Sequence, residues 1–256
     1  MDQFTSFDGV EIAYQEWRPT GESGLPPVVV HHGFIADATV NWVRPGVVDA
    51  LVAAGRRVIA PDARGHGASG KPTDPAAYGE ATMARDLAAL LDHAGTGPVD
   101  LVGYSMGAVV ATIFTLRDPR VRRLVIGGIG ASLAELGGVD TRLAPTAVVA
   151  AVLRTDDPAE VAASPATAFR LLADAVGADR RALAAQIEVV HAEPLPLETI
   201  VAPVLVLCGA DDPLAARPHV LAGAIPGARL EIVDGDHLAA VGNPAFAAAV
   251  VDFLDS

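Results

Sequence analysis

The run Val99 to Gly107, Val-Asp-Leu-Val-Gly-Tyr-Ser-Met-Gly, leaves this chain few ways to fold. An apolar strand pattern passes without a linker into Met106–Leu116, where the apolar spacing becomes helical. A strand that turns straight into a helix forces the residue at the bend, Ser105, into strained backbone angles. It also crowds the positions two before and two after that residue. Gly103 and Gly107 occupy those positions, and without a Cβ at either the chain can close the turn. The serine hydroxyl is then expected to stand exposed above a sheet edge. The amide-rich start of the helix would face any negative charge forming beside it.

With 256 residues and 51% apolar content the chain can bury one large α/β core, and no shift in composition divides it. The net charge of −13 is spread along the sequence, which disfavours nucleic acid and anionic membranes as partners and points to a small molecule. The lone Cys208 sits in an apolar run, so a buried, inert thiol in a reducing compartment is expected. The N-terminal Met-Asp-Gln-Phe-Thr-Ser lacks a signal-peptide pattern, and no apolar stretch is long enough to span a bilayer. A soluble, cytoplasmic protein is the expectation.

Along the chain, alternating polarity around Asp8-Gly9 predicts a hairpin of 3–7 with 10–17, and residues 21–27 read as a polar loop. Val28–Val30 reads as a strand buried on both faces, 41–54 as a helical stretch broken at Pro45-Gly46, and Arg57–Pro61 as the next strand. Glu80–His93 has amphipathic helical spacing with His93 facing solvent, and Val121–Ile129 reads as a strand. Alternation of strand and helix then lapses over 131–201 into helical pieces at 145–154, 164–176 and 179–190. Ser164-Pro165 and Asp179 read as starts of the last two. It resumes with strands at 203–208 and 229–233 and helices at 218–224 and 244–254.

Three histidines invite other readings. His31 and His32 could be taken for a metal pair, but adjacent strand residues point to opposite faces, which favours structural roles. His66 lies among glycines in Asp62-Ala63-Arg64-Gly65-His66-Gly67-Ala68-Ser69 and reads as a loop brace. Trp42 reads as packing.

The elbow, the His32-Gly33-Phe34 turn after the first buried strand, and the Asp-x-Arg-Gly-His-Gly-x-Ser loop together resemble the α/β-hydrolase family over nearly the whole chain. The resemblance implies a mostly parallel eight-stranded sheet with helices on both faces, a core domain of 1–130 and 202–256, and a small helical cap of 131–201. Apolar candidates for the cap's inner face are Val152, Leu153, Phe169, Leu172 and Ile187, each equally explained as packing within the cap. It also implies a Ser, Asp, His chain order, met here by Ser105, an aspartate after the 203–208 strand, and His237 in the Gly235-Asp236-His237 turn. Two aspartates compete. The family's spacing of three residues beyond the strand-ending Gly209 points to Asp212 and leaves Asp211 as a turn residue, while Asp236 neighbours His237 without filling the role. The backbone N–H groups of Phe34 and Met106 would hold an oxyanion.

Such a set implies cofactor-free, metal-free acyl transfer on a small carboxylic ester or lactone. Serine at the elbow, where epoxide hydrolases and haloalkane dehalogenases carry aspartate, argues against those chemistries. A C–C bond hydrolase, a cofactor-free perhydrolase and a small-molecule receptor with a slow triad are the alternatives within the resemblance.

Overall fold

The computed structural model describes residues 1–21 and 23–256; Glu22, in the loop expected over 21–27, lies outside the described residues. Gly9 adopts φ 88° and turns β1 (Asp2–Thr5) back on β2 (Glu11–Trp17) as an antiparallel hairpin. The chain then runs through β3 (Val28–His31), α1 (Val47–Ala53), β4 (Val58–Pro61), α2 (Glu80–His93), β5 (Val99–Tyr104), α3 (Met106–Thr115) and β6 (Val121–Gly127). An excursion of helices follows: α4 (Ala131–Leu136), α5 (Thr146–Arg154), α6 (Pro158–Ala163), α7 (Thr167–Val176) and α8 (Arg180–Ile187). The chain returns through β7 (Val204–Gly209), α9 (Pro218–Ala224), β8 (Arg229–Val233) and α10 (Pro244–Asp255).

The eight strands among the described residues form one sheet in the order β1-β2-β4-β3-β5-β6-β7-β8. The first two pairings, β1 with β2 and β2 with β4, are antiparallel, and every later pairing is parallel. Because side chains alternate along a strand, each buried strand supplies two cores. Leu101, Leu124 and Val206 pack with α2 and α3 on one face, while Val102, Val125 and Leu205 pack with α1 and α10 on the other. A third, smaller core lies within the helical excursion, where Val149, Leu153 and Leu183 pack together and against Ile35 of the loop after β3. No helix among the described residues is long and apolar enough to cross a membrane.

Several boundaries differ from the sequence reading. The helical stretch expected over 41–54 does break at Pro45-Gly46, where Gly46 is left-handed (φ 84°), but its first part is a single π-helical turn that starts earlier, at Thr39–Val43, and α1 is the second part. Ser164 does not start a helix. It ends α6 and its Oγ accepts the N–H of Ala166, so α7 begins at Thr167. Asp179 does cap α8, accepting the N–H groups of Arg181 and Ala182. The short helices α4 and α6 have no counterpart in the sequence reading. Cys208 is buried, donates its S–H to the Ile129 carbonyl, and burial pushes its thiol up to about 12. His93 is exposed as expected, although its ring stacks on Phe4.

Candidate active site

Ser105 occupies the bend between β5 and α3 with φ 55° and ψ −117°, a conformation that an L-residue adopts only under constraint. The constraint is a close crossing of backbone. A Cβ on Gly103 would strike the Gly107 carbonyl, and one on Gly107 would strike the carbonyls of His31 and His32 at the end of β3. Rotamer changes cannot relieve contact with backbone, so Gly107→Ala is expected to destabilise the fold by about 3 kcal/mol or more. Gly242→Ala, where a Cβ meets nothing within 4 Å, is the control and is expected to stay within about 0.5 kcal/mol. Urea midpoints measure both.

The Ser105 side chain makes no hydrogen bond among the described residues and lines two cavities that meet at it. The first, of about 60 Å³, runs beneath α5 and α8 and includes Met106, Glu80 and Gln186. The second, of about 290 Å³, includes Tyr104, His237 and Leu238. Phe34, Phe169 and Leu214 border both. Of the residues proposed for the inner face of the helical excursion, Phe169, Leu172 and Ile187 do line these cavities. Val152 and Leu153 are buried in the excursion's own core instead.

His237 reaches the second cavity from the loop after β8, and Asp212 stands beside it on the loop after β7. The two loops are adjacent because their strands are, and they are tied together by Ala210 N–H to the Val233 carbonyl and Asp211 N–H to the Gly235 carbonyl. Asp212 is buried. Its Oδ1 accepts the N–H groups of Leu214 and Ala215, and its Oδ2 receives His237 Nδ1–H at 2.8 Å. That bond leaves Nε2 of His237 as the lone-pair nitrogen of the neutral ring. Asp211 is exposed, and Asp236 caps the next turn by accepting the N–H groups of Leu238 and Ala239. Tyr104 adds a contact that the sequence did not reveal: its hydroxyl donates to the His237 carbonyl at 2.7 Å and its ring packs against the imidazole.

The turn after β3 is built so that one amide stays free. Gly33 N–H donates to Asn41 Oδ1 at 2.9 Å and Ile35 N–H to His66 Nε2 at 3.2 Å, while Phe34 N–H between them has no partner among the described residues. Met106 N–H, at the first position of α3, has none either, as the geometry of a helix start requires. His66 thus braces the loop, its Nδ1 lying 3.1 Å from the Arg64 carbonyl. His32 braces the next one, accepting Ala63 N–H on Nε2. Burial lowers His32, holds His66 well below the ordinary imidazole range and takes His31 down to about 3. The rings of His31 and His32 do not point to opposite faces. β3 ends at His31, the backbone turns, and the rings stack at 5.6 Å with each Nδ1 engaged by a neighbouring carbonyl. Trp42 is fully buried with its indole edge-on to Tyr104.

Comparison with known proteins gives this arrangement a context. The family model described as alpha/beta hydrolase fold matches residues 26–136. The 3-oxoadipate enol-lactonase 2 of Acinetobacter baylyi is 31% identical over 200 residues, covering 73% of this chain and 74% of that protein. The chain belongs to the α/β-hydrolase fold family. Among solved structures, a hydrolase from Pseudomonas aeruginosa superposes with a TM-score of 0.79 at 29% identity, covering 100% of this chain and 98% of that one. Epoxide hydrolase A of Mycobacterium tuberculosis is 36% identical over 109 residues, covering 43% of this chain and 32% of that protein. The match spans only 31% to 41% of the length of the first four curated relatives.

Proposed function

We propose that this α/β-hydrolase is a serine hydrolase that cleaves a small carboxylic ester or lactone by two-step acyl transfer. The observation that carries the reading is the convergence, at one pair of joined cavities, of Ser105, the Asp212–His237 hydrogen bond and two unpartnered N–H groups. A serine hydroxyl is a weak nucleophile near neutral pH, so it needs a base whose tautomer is held and whose positive form is stabilised. His237 is that base in this reading. Asp212, dry and fixed by two amides, orients its Nδ1–H and steadies the imidazolium.

As Ser105 Oγ attacks the carbonyl carbon, its proton passes to His237 Nε2 and the carbonyl oxygen becomes an oxyanion. The N–H groups of Phe34 and Met106 receive that oxyanion, supported by the start of α3. Collapse breaks the bond to the leaving oxygen, which takes the proton from His237. The leaving group therefore lies on the His237 side, in the second cavity, and the acyl chain in the first. Water entering beside His237 gives up a proton to Nε2, attacks the acyl-enzyme, and Ser105 leaves with that proton. The chemistry asks for no cofactor. Residues 131–201 act in this reading as a cap, with Phe169 and Ile187 shaping the space over Ser105.

Treatment with a small fluorophosphonate followed by peptide mapping tests this reading. A single adduct on Ser105 of the folded protein is expected, because only a serine activated by a base and an oxyanion site reacts readily. Folded protein that takes no adduct would overturn it and turn attention to a ligand-binding role.

A further inference from the structure

The acyl chain's place in the first cavity, on which this inference rests, brings it against two polar side chains that the proposed mechanism does not use. Glu80 enters from the first turn of α2 and Gln186 from the last turn of α8, and each is only 2% exposed. Both line the cavity. Glu80 Oε2 accepts the N–H of His191 at 2.7 Å. Gln186 turns its Nε2–H toward Met106 Sδ, and its Oε1 has no partner. A buried amide oxygen without a donor costs free energy until a donor arrives.

The walls around this pair are apolar, with Val149, Ile187 and Phe169 among them, and among the described residues no lysine or arginine lines either cavity. Asp140, the other carboxylate lining the first cavity, is already held by Arg142 through Nε at 2.8 Å. A chain ending in a methyl group would fit the walls and leave Gln186 Oε1 unanswered. One ending in a carboxylate would be desolvated beside Glu80 with no cation to receive it. A terminal hydroxyl answers Gln186 Oε1 with a hydrogen bond and keeps an oxygen that can pair with Glu80. Burial pushes the Glu80 carboxyl up to about 7, so near neutral pH it can serve that oxygen as a donor as well as an acceptor.

We propose that Glu80 and Gln186 form a specificity subsite that selects acyl chains ending in an uncharged hydrogen-bond donor, a hydroxyl above all, and rejects chains ending in a carboxylate.

The test compares kcat/KM for phenyl esters of three matched acids, ending in methyl, hydroxyl or carboxylate, over several chain lengths. At the best length the hydroxyl ester is expected to exceed the methyl ester by about tenfold, the worth of one well-placed hydrogen bond. The carboxylate ester is expected to fall about a hundredfold below the methyl ester. In Gln186→Leu the hydroxyl preference should collapse to near unity, and in Glu80→Gln the carboxylate penalty should shrink. Each ratio is taken within one enzyme, so a partly folded preparation does not distort it. Fluorophosphonate labelling counts the competent sites, and Gln186→Met, closer in shape, replaces Gln186→Leu if that variant fails to fold. Equal rates on all three esters, a preferred carboxylate ester, or an unchanged ratio in the Gln186 variant would overturn the subsite while leaving the serine-hydrolase reading intact. No turnover on any ester and no label on Ser105 would overturn both.

Discussion

Ser105→Ala is expected to lower ester turnover by about a millionfold while leaving the fold in place. The size of the effect follows from what the hydroxyl does in the proposed mechanism: no other group at the meeting of the two cavities can form the acyl bond, and the base and oxyanion donors have nothing to act on without it. The fold survives because the Ser105 side chain has no hydrogen bond to lose among the described residues. Alanine carries the same Cβ, so it meets the same φ of 55° at the bend. Stopped assays on the best ester, with circular dichroism and thermal melting as the control on folding, measure both halves. Hydrolysis in this variant within about a hundredfold of the parent would sink the assignment of Ser105 as nucleophile.

Asp212→Asn is expected to cost about ten-thousandfold in kcat, and Asp211→Asn less than about threefold. The Asp212 carboxylate accepts two amides on Oδ1 and His237 Nδ1–H on Oδ2. An asparagine can keep the amides on its oxygen, but then presents N–H₂ to Nδ1. The imidazole must take the other tautomer, with its proton on Nε2, where it cannot accept one from Ser105. Asp211 makes no such contact; only its backbone N–H is engaged, and asparagine preserves that. Kinetics on the two variants side by side read the difference. A crippled Asp211→Asn beside a working Asp212→Asn would mean that the geometry between β7 and β8 misidentifies the acid.

The elbow was legible in the sequence because its cause is local. A strand, a bend and a helix occupy consecutive residues, and the two glycines that permit the crossing lie two places either side of the serine. Asp179 as the cap of α8 was legible for the same reason. The short helix α6 had an equally local signal, Asp157-Pro158, with the aspartate accepting Ala159 N–H and proline at the first turn. A helix of six residues leaves almost no periodicity to detect, so that cap is its one sequence signal. The break at Pro45-Gly46 was legible for the same local reason, whereas the π-helical form of Thr39–Val43 before it was not.

By itself the sequence determined the strained serine turn, which is written in the spacing of near neighbours, while the mostly parallel sheet and the Ser, Asp, His order were what the resemblance to the α/β-hydrolase family implied. The family's spacing pointed to Asp212 over Asp211, and the tertiary structure brings Asp212 against His237 because the loops after β7 and β8 are tied across the sheet edge. Tertiary structure alone decided that Phe34 N–H is left free, since the amides on either side are taken by Asn41 and His66 from other parts of the chain. It also brought Glu80 and Gln186 into one cavity from helices on opposite sides of the elbow in the sequence. Pairings of that kind have no period and no local propensity, and only the packing of α8 and its neighbours over the sheet edge creates them.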